Sequence, residues 1–314
     1  MVNIQKCAII GCGAVGASTA FSLVQSGLFS EIVLIDADTK KAEGEAMDLN
    51  HGLPFIHSMK INSGTYSDIS DCALIIITAG AAQKPNQTRI DLVKQNANIF
   101  KSIIPQITAV NTEAILLIVS NPVDILTYVA LKLSGFPNNR VFGTGTVLDA
   151  ARLKYLLGEH LNVDSRSIHA FIIGEHGDSE LAVWSSANVS GIDLQGFCNT
   201  VDGSCCRHDL EKIYEEVKNS AYEIIEKKGA TYYAIAMGVT RIAQCIVKNQ
   251  HSVLPVSCYL ENHYSQNDLC LGVPAIVGLN GVEKVLDIPL SDDEMQKLTA
   301  SAKLLKEIIS ELAL

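Results

Sequence analysis

The chain has 314 residues, of which 24 are basic and 34 acidic, for a formal charge of −10. That balance excludes a non-specific nucleic-acid binder, which needs a positive surface, but leaves room for a local basic pocket. Hydrophobic residues make up 48% and charged residues 18%, so disorder is excluded and the length suits two domains of about 150 residues each.

Nine cysteines, an odd number with no C-x-x-C spacing, suggest neither a disulfide framework nor a cysteine zinc site. No run approaches the roughly 18 apolar residues of a membrane span. The opening Met-Val-Asn-Ile-Gln-Lys lacks the pattern of a signal peptide. The expectation is a reduced, cytoplasmic protein with no metal, no membrane partner and no nucleic-acid partner.

In chain order, short β-branched runs at 7–10, 32–35, 74–78, 115–119 and 141–143 alternate with helical patterns at 15–26, 39–49, 88–109 and 123–133. Such alternation implies βαβ units, and the uniformly apolar runs imply strands covered on both faces of a parallel sheet. From about 145 the pattern changes. A helix at 147–161 leads to a strand at 168–173, then a helix at 208–228 that stops at Lys227, Lys228 and Gly229. Residues 252–288 alternate like an antiparallel meander, and a last helix starts at a Ser291/Glu294 capping box. The expected fold is α/β: a Rossmann doubly wound parallel sheet over 1–144, followed by an α+β catalytic domain over 145–314.

Gly11-Cys12-Gly13-Ala14-Val15-Gly16 follows the first strand and opens the first helix. Gly11 permits the tight turn, Gly13 lets backbone approach a pyrophosphate, and Gly16 lets helix and strand pack closely. The pyrophosphate then meets free N–H groups at a helix N-terminus. Asp36, twenty residues beyond Gly16, is placed to accept from a ribose 2′-hydroxyl and to repel a 2′-phosphate, which favours NAD over NADP. Asp38 reads as a turn residue or helix cap.

Ile173-Gly174-Glu175-His176-Gly177-Asp178 sets a histidine, the natural acid/base near neutral pH, just past a strand. Asp149 and Arg152 share a helix face at i, i+3. The aspartate could hold the imidazole's other nitrogen, and the arginine could grip a substrate carboxylate; an ordinary surface ion pair is the plainer alternative. Ser120-Asn121-Pro122-Val123-Asp124 lies at a strand's carboxyl end, where ligands bind in such sheets. The polar loop 80–89 has the composition of a lid.

Taken together, these motifs resemble those of the bacterial L-lactate dehydrogenases, within the lactate/malate dehydrogenase superfamily, in the same order and over essentially the whole chain. The resemblance implies an NAD-dependent enzyme of glycolysis and fermentation that interconverts pyruvate and L-lactate. It implies His176 as proton donor and acceptor, Asp149 as its orienting partner, Arg152 as the carboxylate clamp, Arg89 as the lid arginine and Asn121 as a further ligand to the substrate oxygen. Val15, Asp36, Lys41, Tyr66, Gly80, Ala81, Asn121 and Thr144, with Gly11, Gly13 and Gly16, match cofactor-contact positions. Gln83 stands where malate dehydrogenases carry an arginine, and Thr231 matches a pocket position suited to a short neutral tail. Lys154 and His169 match an effector site for fructose 1,6-bisphosphate, though lysine replaces the arginine usual there. A homotetramer is the family expectation.

The alternatives are malate dehydrogenase, another L-2-hydroxyacid dehydrogenase, and a non-catalytic NAD-binding protein. Tyr128/Lys132 and Tyr214/Lys218 have the i, i+4 spacing of short-chain dehydrogenases. The glycine spacing is wrong for that family, and both tyrosines read as helix-surface or packing residues.

Overall fold

The computed structural model describes residues 2–81, 89–200 and 207–312 (for Arg89 and Arg207 the backbone only). The first half runs β1 (Asn3–Ile10), α1 (Ala14–Ser26), β2 (Glu31–Ile35), α2 (Thr39–Gly52), β3 (Lys60–Ser63), β4 (Cys72–Ile77), α3 (Arg89–Thr108), β5 (Ile115–Ile118), α4 (Val123–Ser134) and β6 (Val141–Gly143). These strands pair in parallel in the order β6-β5-β4-β1-β2-β3. The order reverses between β1 and β4, so the loops leaving their carboxyl ends part and open a crevice. All six residues of β4 are buried, as the apolar runs imply, and each such isoleucine contributes roughly 1.5–3 kcal/mol of burial.

The second half continues with α5 (Val147–Leu161), β7 (Ile168–Ile173), β8 (Leu181–Val189), β9 (Ile192–Asp193), α6 (Leu194–Cys198), α7 (Arg207–Lys228), α8 (Tyr233–Val247), β10 (Ser252–His263), β11 (Gln266–Gly278), β12 (Gly281–Val285) and α9 (Asp292–Ser310). The meander β10–β12 is antiparallel. It joins the parallel sheet through one residue pair, Ser257 with Gly143. Strands β7, β8 and β9 form a separate antiparallel sheet. Its link to β11 is a pair of backbone hydrogen bonds between Gly174 and Gly272, 2.8 and 3.0 Å.

The helix ends follow local chemistry. Asp38 caps α2, accepting from the Lys41 N–H. Gly229, at φ +86°, ends α7, and the Ser291/Glu294 capping box starts α9. Four elements escape the sequence pattern. Strand β3 is a polar edge strand with one fully buried residue, Ile61, and β8, β9 and α6 are short or weakly periodic. Helix α8 also lacked bounds in the sequence pattern. The cysteines need one correction to the expectation of a reduced protein: six described thiols are free, but Cys198 is disulfide-bonded. Among the described residues no helix is long and apolar enough to cross a membrane.

The contact between α1 and β1 is the tightest constraint near the crevice. A Cβ on Gly16 would stand 1.9 Å from the Gly11 carbonyl oxygen and 2.8 Å from Thr78 Oγ1. The Gly11 oxygen is itself fixed, accepting from the Thr78 hydroxyl at 2.7 Å. Gly16→Ala must therefore push the helix off the strand, and we expect a loss of about 2–3 kcal/mol in urea unfolding. An unchanged midpoint would contradict this packing account.

Candidate functional site

Two cavities lie along the carboxyl ends of the parallel strands. The first, about 930 Å³, is lined by Gly11, Gly13, Asp36, Lys41, Tyr66, Gly80 and Ala81. Gly11 sits at φ +102°, a conformation open to glycine, and a Cβ there would meet the Ala79 backbone at 2.6 Å. Gly13 is different: a Cβ there would touch nothing within 4 Å. No internal packing demands a glycine at 13, so its bare backbone faces the open cavity. It also begins α1 without any side-chain cap, which leaves first-turn N–H groups available to an anion. Asp36 is pinned at the wall: Oδ2 accepts from the Cys12 N–H at 2.6 Å and Oδ1 from the Asp38 N–H at 2.9 Å. Its remaining lone pairs can take a ribose hydroxyl. These residues fit a dinucleotide.

Other expected cofactor positions lie outside this lining. Val15 and Gly16 belong to the α1 entry, Thr144 is buried with its N–H on the Ile118 carbonyl, and Asn121 lines the second cavity instead. The α3 face bearing Gln95, Asn98, Ile99 and Ser102 does line the first cavity. It went unnoticed in the sequence, although its 3–4 residue spacing is the available signal. Asn96, on the same helix, is buried; its amide oxygen accepts from the Ala81 N–H at 2.8 Å and its nitrogen donates to the Asn121 carbonyl at 2.8 Å. One side chain thus ties Ala81 to Asn121, beyond the end of β5.

The second cavity, about 470 Å³, is lined by Asn121, Asp149, Arg152, His176 and Glu180, with Tyr222 and Ile225 of α7. His176 Nδ1 and Asp149 Oδ2 are 2.6 Å apart, and Arg152 Nη1 donates to Asp149 Oδ1 at 2.7 Å. The sequence left the His176 partner and the Arg152 ion pair as competing roles for Asp149; the carboxylate does both. Burial alone would raise the Asp149 pKa, but the His176 and Arg152 charges hold it below the usual carboxylate range. Burial alone would lower that of His176, but Asp149 raises it to about 9. The pair is therefore carboxylate and imidazolium at neutral pH, with Nδ1 donating and Nε2 free of Asp149.

The turn bearing His176 is held from three sides. Its backbone N–H donates to Asp124 Oδ2 at 2.8 Å, and Asp124 Oδ1 accepts from the Ser257 hydroxyl at 2.6 Å. The Thr146 hydroxyl, just before α5, donates to the Ile172 carbonyl at 2.6 Å. Asp124 is fully buried, and burial raises its pKa against these hydrogen bonds. The sequence reading quoted Asp124 in its motif without giving it a role, and Glu180 escaped it entirely.

Several expected residues are not brought to this cavity. Thr231 is not among its lining. Gln83 lies outside the described residues. Arg89 begins α3, but its side chain is not described. Lys154 on α5 is partly buried, which lowers its pKa, and His169 on the adjoining β7 is exposed. Tyr128 and Lys132 both hydrogen-bond to Asp268, and the Tyr214 hydroxyl donates to the Glu180 carbonyl; both tyrosines are packing residues, as read.

Residues 5–143 match the family model for the lactate/malate dehydrogenase NAD-binding domain, and 146–313 that for the lactate/malate dehydrogenase alpha/beta C-terminal domain. An L-lactate dehydrogenase of Acetivibrio thermocellus is 55% identical over 98% of both chains. L-lactate dehydrogenase 1 of Clostridium acetobutylicum is 52% identical over 99% of this chain and 100% of its own. Among solved structures, a lactate dehydrogenase from a Medee basin deep-sea metagenome library superposes with TM-score 0.96 at 43% identity over 99% of each chain. The minor L-lactate dehydrogenase of Enterococcus mundtii, in a ligand-bound form, matches with the same TM-score, identity and coverage.

Because the folded His176 pKa lies above its unfolded value, its proton adds stability that is complete below about pH 6.5 and is lost as pH rises through about 9, while the share of Asp149, whose pKa is lowered, is lost only as that carboxylate protonates in acid. In Asp149→Asn the largest opposition to burial is removed, leaving only the weaker pull of Glu180 and Asp124. We expect the imidazole, followed by NMR titration, to drop by two or more pH units. A value still near 9 would mean that another group holds the proton.

Proposed function

We infer that this chain, which belongs to the lactate/malate dehydrogenase family, is an NAD-dependent L-lactate dehydrogenase that interconverts pyruvate and L-lactate. The observation that carries the reading is one cavity holding a protonated histidine, its carboxylate partner and an arginine, alongside a second cavity shaped for a dinucleotide. The bound nicotinamide supplies or takes up the hydride at the 2-carbon. The chain's own residues do the rest.

His176 gives its Nε2 proton to the keto oxygen in the pyruvate direction and recovers it from lactate in the other. Asp149 keeps the ring oriented and stabilises the imidazolium, so the proton is present when the oxygen becomes basic. Arg152, anchored to Asp149 by one nitrogen, turns its remaining donors to the substrate carboxylate. Asn121, whose backbone is held by Asn96, contributes a further hydrogen bond to the substrate oxygen. In this reading Arg89 comes in with the loop over 80–89, polarises the carbonyl and helps exclude water, which makes its charge count most. Val15, Lys41, Tyr66 and Thr144 serve the cofactor, and the cofactor and substrate halves divide at 144/145.

Gln83 in the same loop is neutral. A second carboxylate, as in oxaloacetate, would lose solvent in the closed site and find no partner there. Thr231 completes a pocket for a short neutral tail. The exposed apolar Phe21 on α1, Phe55 after α2 and Met237 on α8 support self-association, for which we propose a homotetramer. Lys154 and His169, on neighbouring elements, support fructose 1,6-bisphosphate as an effector through charge, although a lysine cannot bind phosphate in the two-pronged way.

The direct test is NADH oxidation by the purified protein with pyruvate and with oxaloacetate. A kcat/KM preference for pyruvate of about a hundredfold, some 2.7 kcal/mol, is expected; preference for oxaloacetate would overturn the role of Gln83. For the effector, fructose 1,6-bisphosphate is expected to lower the pyruvate KM and to favour the larger species in sedimentation velocity. If neither moves, the Lys154/His169 reading is wrong.

A further inference from the structure

Glu180, just before β8, is a buried carboxyl in the wall of this cavity that the proposed mechanism leaves unused, as it does the more exposed Asp178 and Lys218. It is 7% exposed, and its Oε1 has no hydrogen-bond partner among the described residues. It lines the substrate cavity beside Arg152 and Asn121. One of its carboxyl oxygens, a ring nitrogen of His176 and an oxygen of Asp149 all lie within 4.8 Å of one another. We propose that Glu180 is a positioning residue of the site that works as a neutral carboxylic acid: its proton lets the cavity accept a substrate carboxylate, and its ionisation closes the cavity to that anion. The inference deepens the dehydrogenase reading and rests on it.

The argument is one of charge and solvation. Asp149 is negative, while His176 and Arg152 are positive. With Glu180 neutral the cluster carries one positive charge, matching one substrate carboxylate. With Glu180 ionised the cluster is neutral, and the incoming carboxylate faces a buried like charge that nothing solvates. An orphaned carboxylate oxygen in a cavity wall is costly, whereas a protonated carboxyl leaves only a weak acceptor unpaired.

The groups facing Glu180 are of both signs. From α5 come Asp149, which disfavours the carboxylate, and Arg152, which favours it; His176 comes from the turn before β8. From α7 come Lys218, itself drawn toward Glu215 at 3.9 Å, and Tyr214. Beyond Glu180, a neighbouring cavity adds Asp178, Glu211 and, from α9, Asp293, Glu294 and the cation Lys297. Asp124 of α4 reaches only the His176 turn. Burial first and Asp149 second push the Glu180 pKa to about 8, against the nearby cations. The three atoms are also close enough to hold a metal ion. Such an ion would have to displace the Asp149–His176 hydrogen bond and sit beside a guanidinium, so a proton is the better occupant.

The test is kcat/KM for pyruvate with NADH between pH 6 and 10, for the unaltered protein, Glu180→Gln and Glu180→Asp. Two protons must be in place, on Glu180 and on His176. The unaltered protein is therefore expected to lose about a hundredfold in kcat/KM per pH unit at the alkaline end, with the Glu180 share appearing in KM rather than kcat. Glu180→Gln, which cannot ionise, is expected to lose about tenfold per unit, with its single limb moved to lower pH because no second carboxylate supports the imidazolium. Glu180→Asp restores the steep limb.

A tenfold-per-unit limb in the unaltered protein, or a steep limb kept by Glu180→Gln, overturns the proposal and leaves the dehydrogenase reading standing. If Glu180→Gln does not fold, the slope of the unaltered protein decides alone. A protein that reduces no pyruvate at any pH overturns the dehydrogenase reading, and this proposal with it.

Discussion

The Asp149 carboxylate organises the whole site. It is buried, and a lone buried carboxylate is expensive. It is tolerated because both oxygens meet cationic donors: His176 Nδ1 on one and Arg152 Nη1 on the other. The same two contacts fix the two groups that the chemistry needs, one to move a proton and one to hold a carboxylate. Without the anion between them the imidazole would lose support for its proton and the guanidinium its anchor. Replacing Asp149 thus disturbs three functions together, because one group sets them all.

The scaffold's task is to deliver these parts from distant points in the chain. Asp149 and Arg152 come from one helix at i, i+3. His176 comes from the end of β7, which belongs to a different sheet. Three polar ties bring that end into place. Gly174 pairs with Gly272 of β11, Thr146 reaches the Ile172 carbonyl, and Asp124 takes the His176 N–H while Ser257 supports it. Each tie joins elements far apart in sequence. The glycine pair needs close backbone approach, since a Cβ on Gly272 would stand 2.8 Å from the Gly174 oxygen.

The sequence revealed what is written in local patterns. The parallel strands appear as unbroken apolar runs because both faces are covered. The glycine triplet with Asp36 is legible because one turn, one helix start and one strand end lie within a single βα unit. The Asp149/Arg152 pair is legible because a helix fixes its spacing. Strand β3 was missed because an edge strand with one buried residue has no hydrophobic signal. The roles of Asn96, Asp124 and Ser257 were missed for a different reason. A buried polar side chain is defined by the group it satisfies, and those groups lie 15–133 residues away. Glu180 shows the same limit most clearly. Beside Asp178 in the sequence it reads as one more surface acid, and only the fold gives it Asp149 for a neighbour.

The overall charge sharpens the point about local environment. A chain of −10 must bind a substrate anion and a dinucleotide that is itself anionic. At physiological salt, surface charges are screened beyond roughly 8 Å, while charges in a cavity wall of low polarisability are not. What an anion meets is therefore set by a few groups at the carboxyl ends of the strands: open N–H groups at the start of α1, the guanidinium of Arg152 and the imidazolium of His176. Surface acids such as Glu211 or Asp293 count for little at that distance. Glu180 and Asp149 count for much, because they share the cavity. The protonation of two buried carboxyls then governs anion binding more than the ten-charge excess of the whole chain. One carboxyl is held negative by two cations, and the other is kept neutral by burial and, second, by the first.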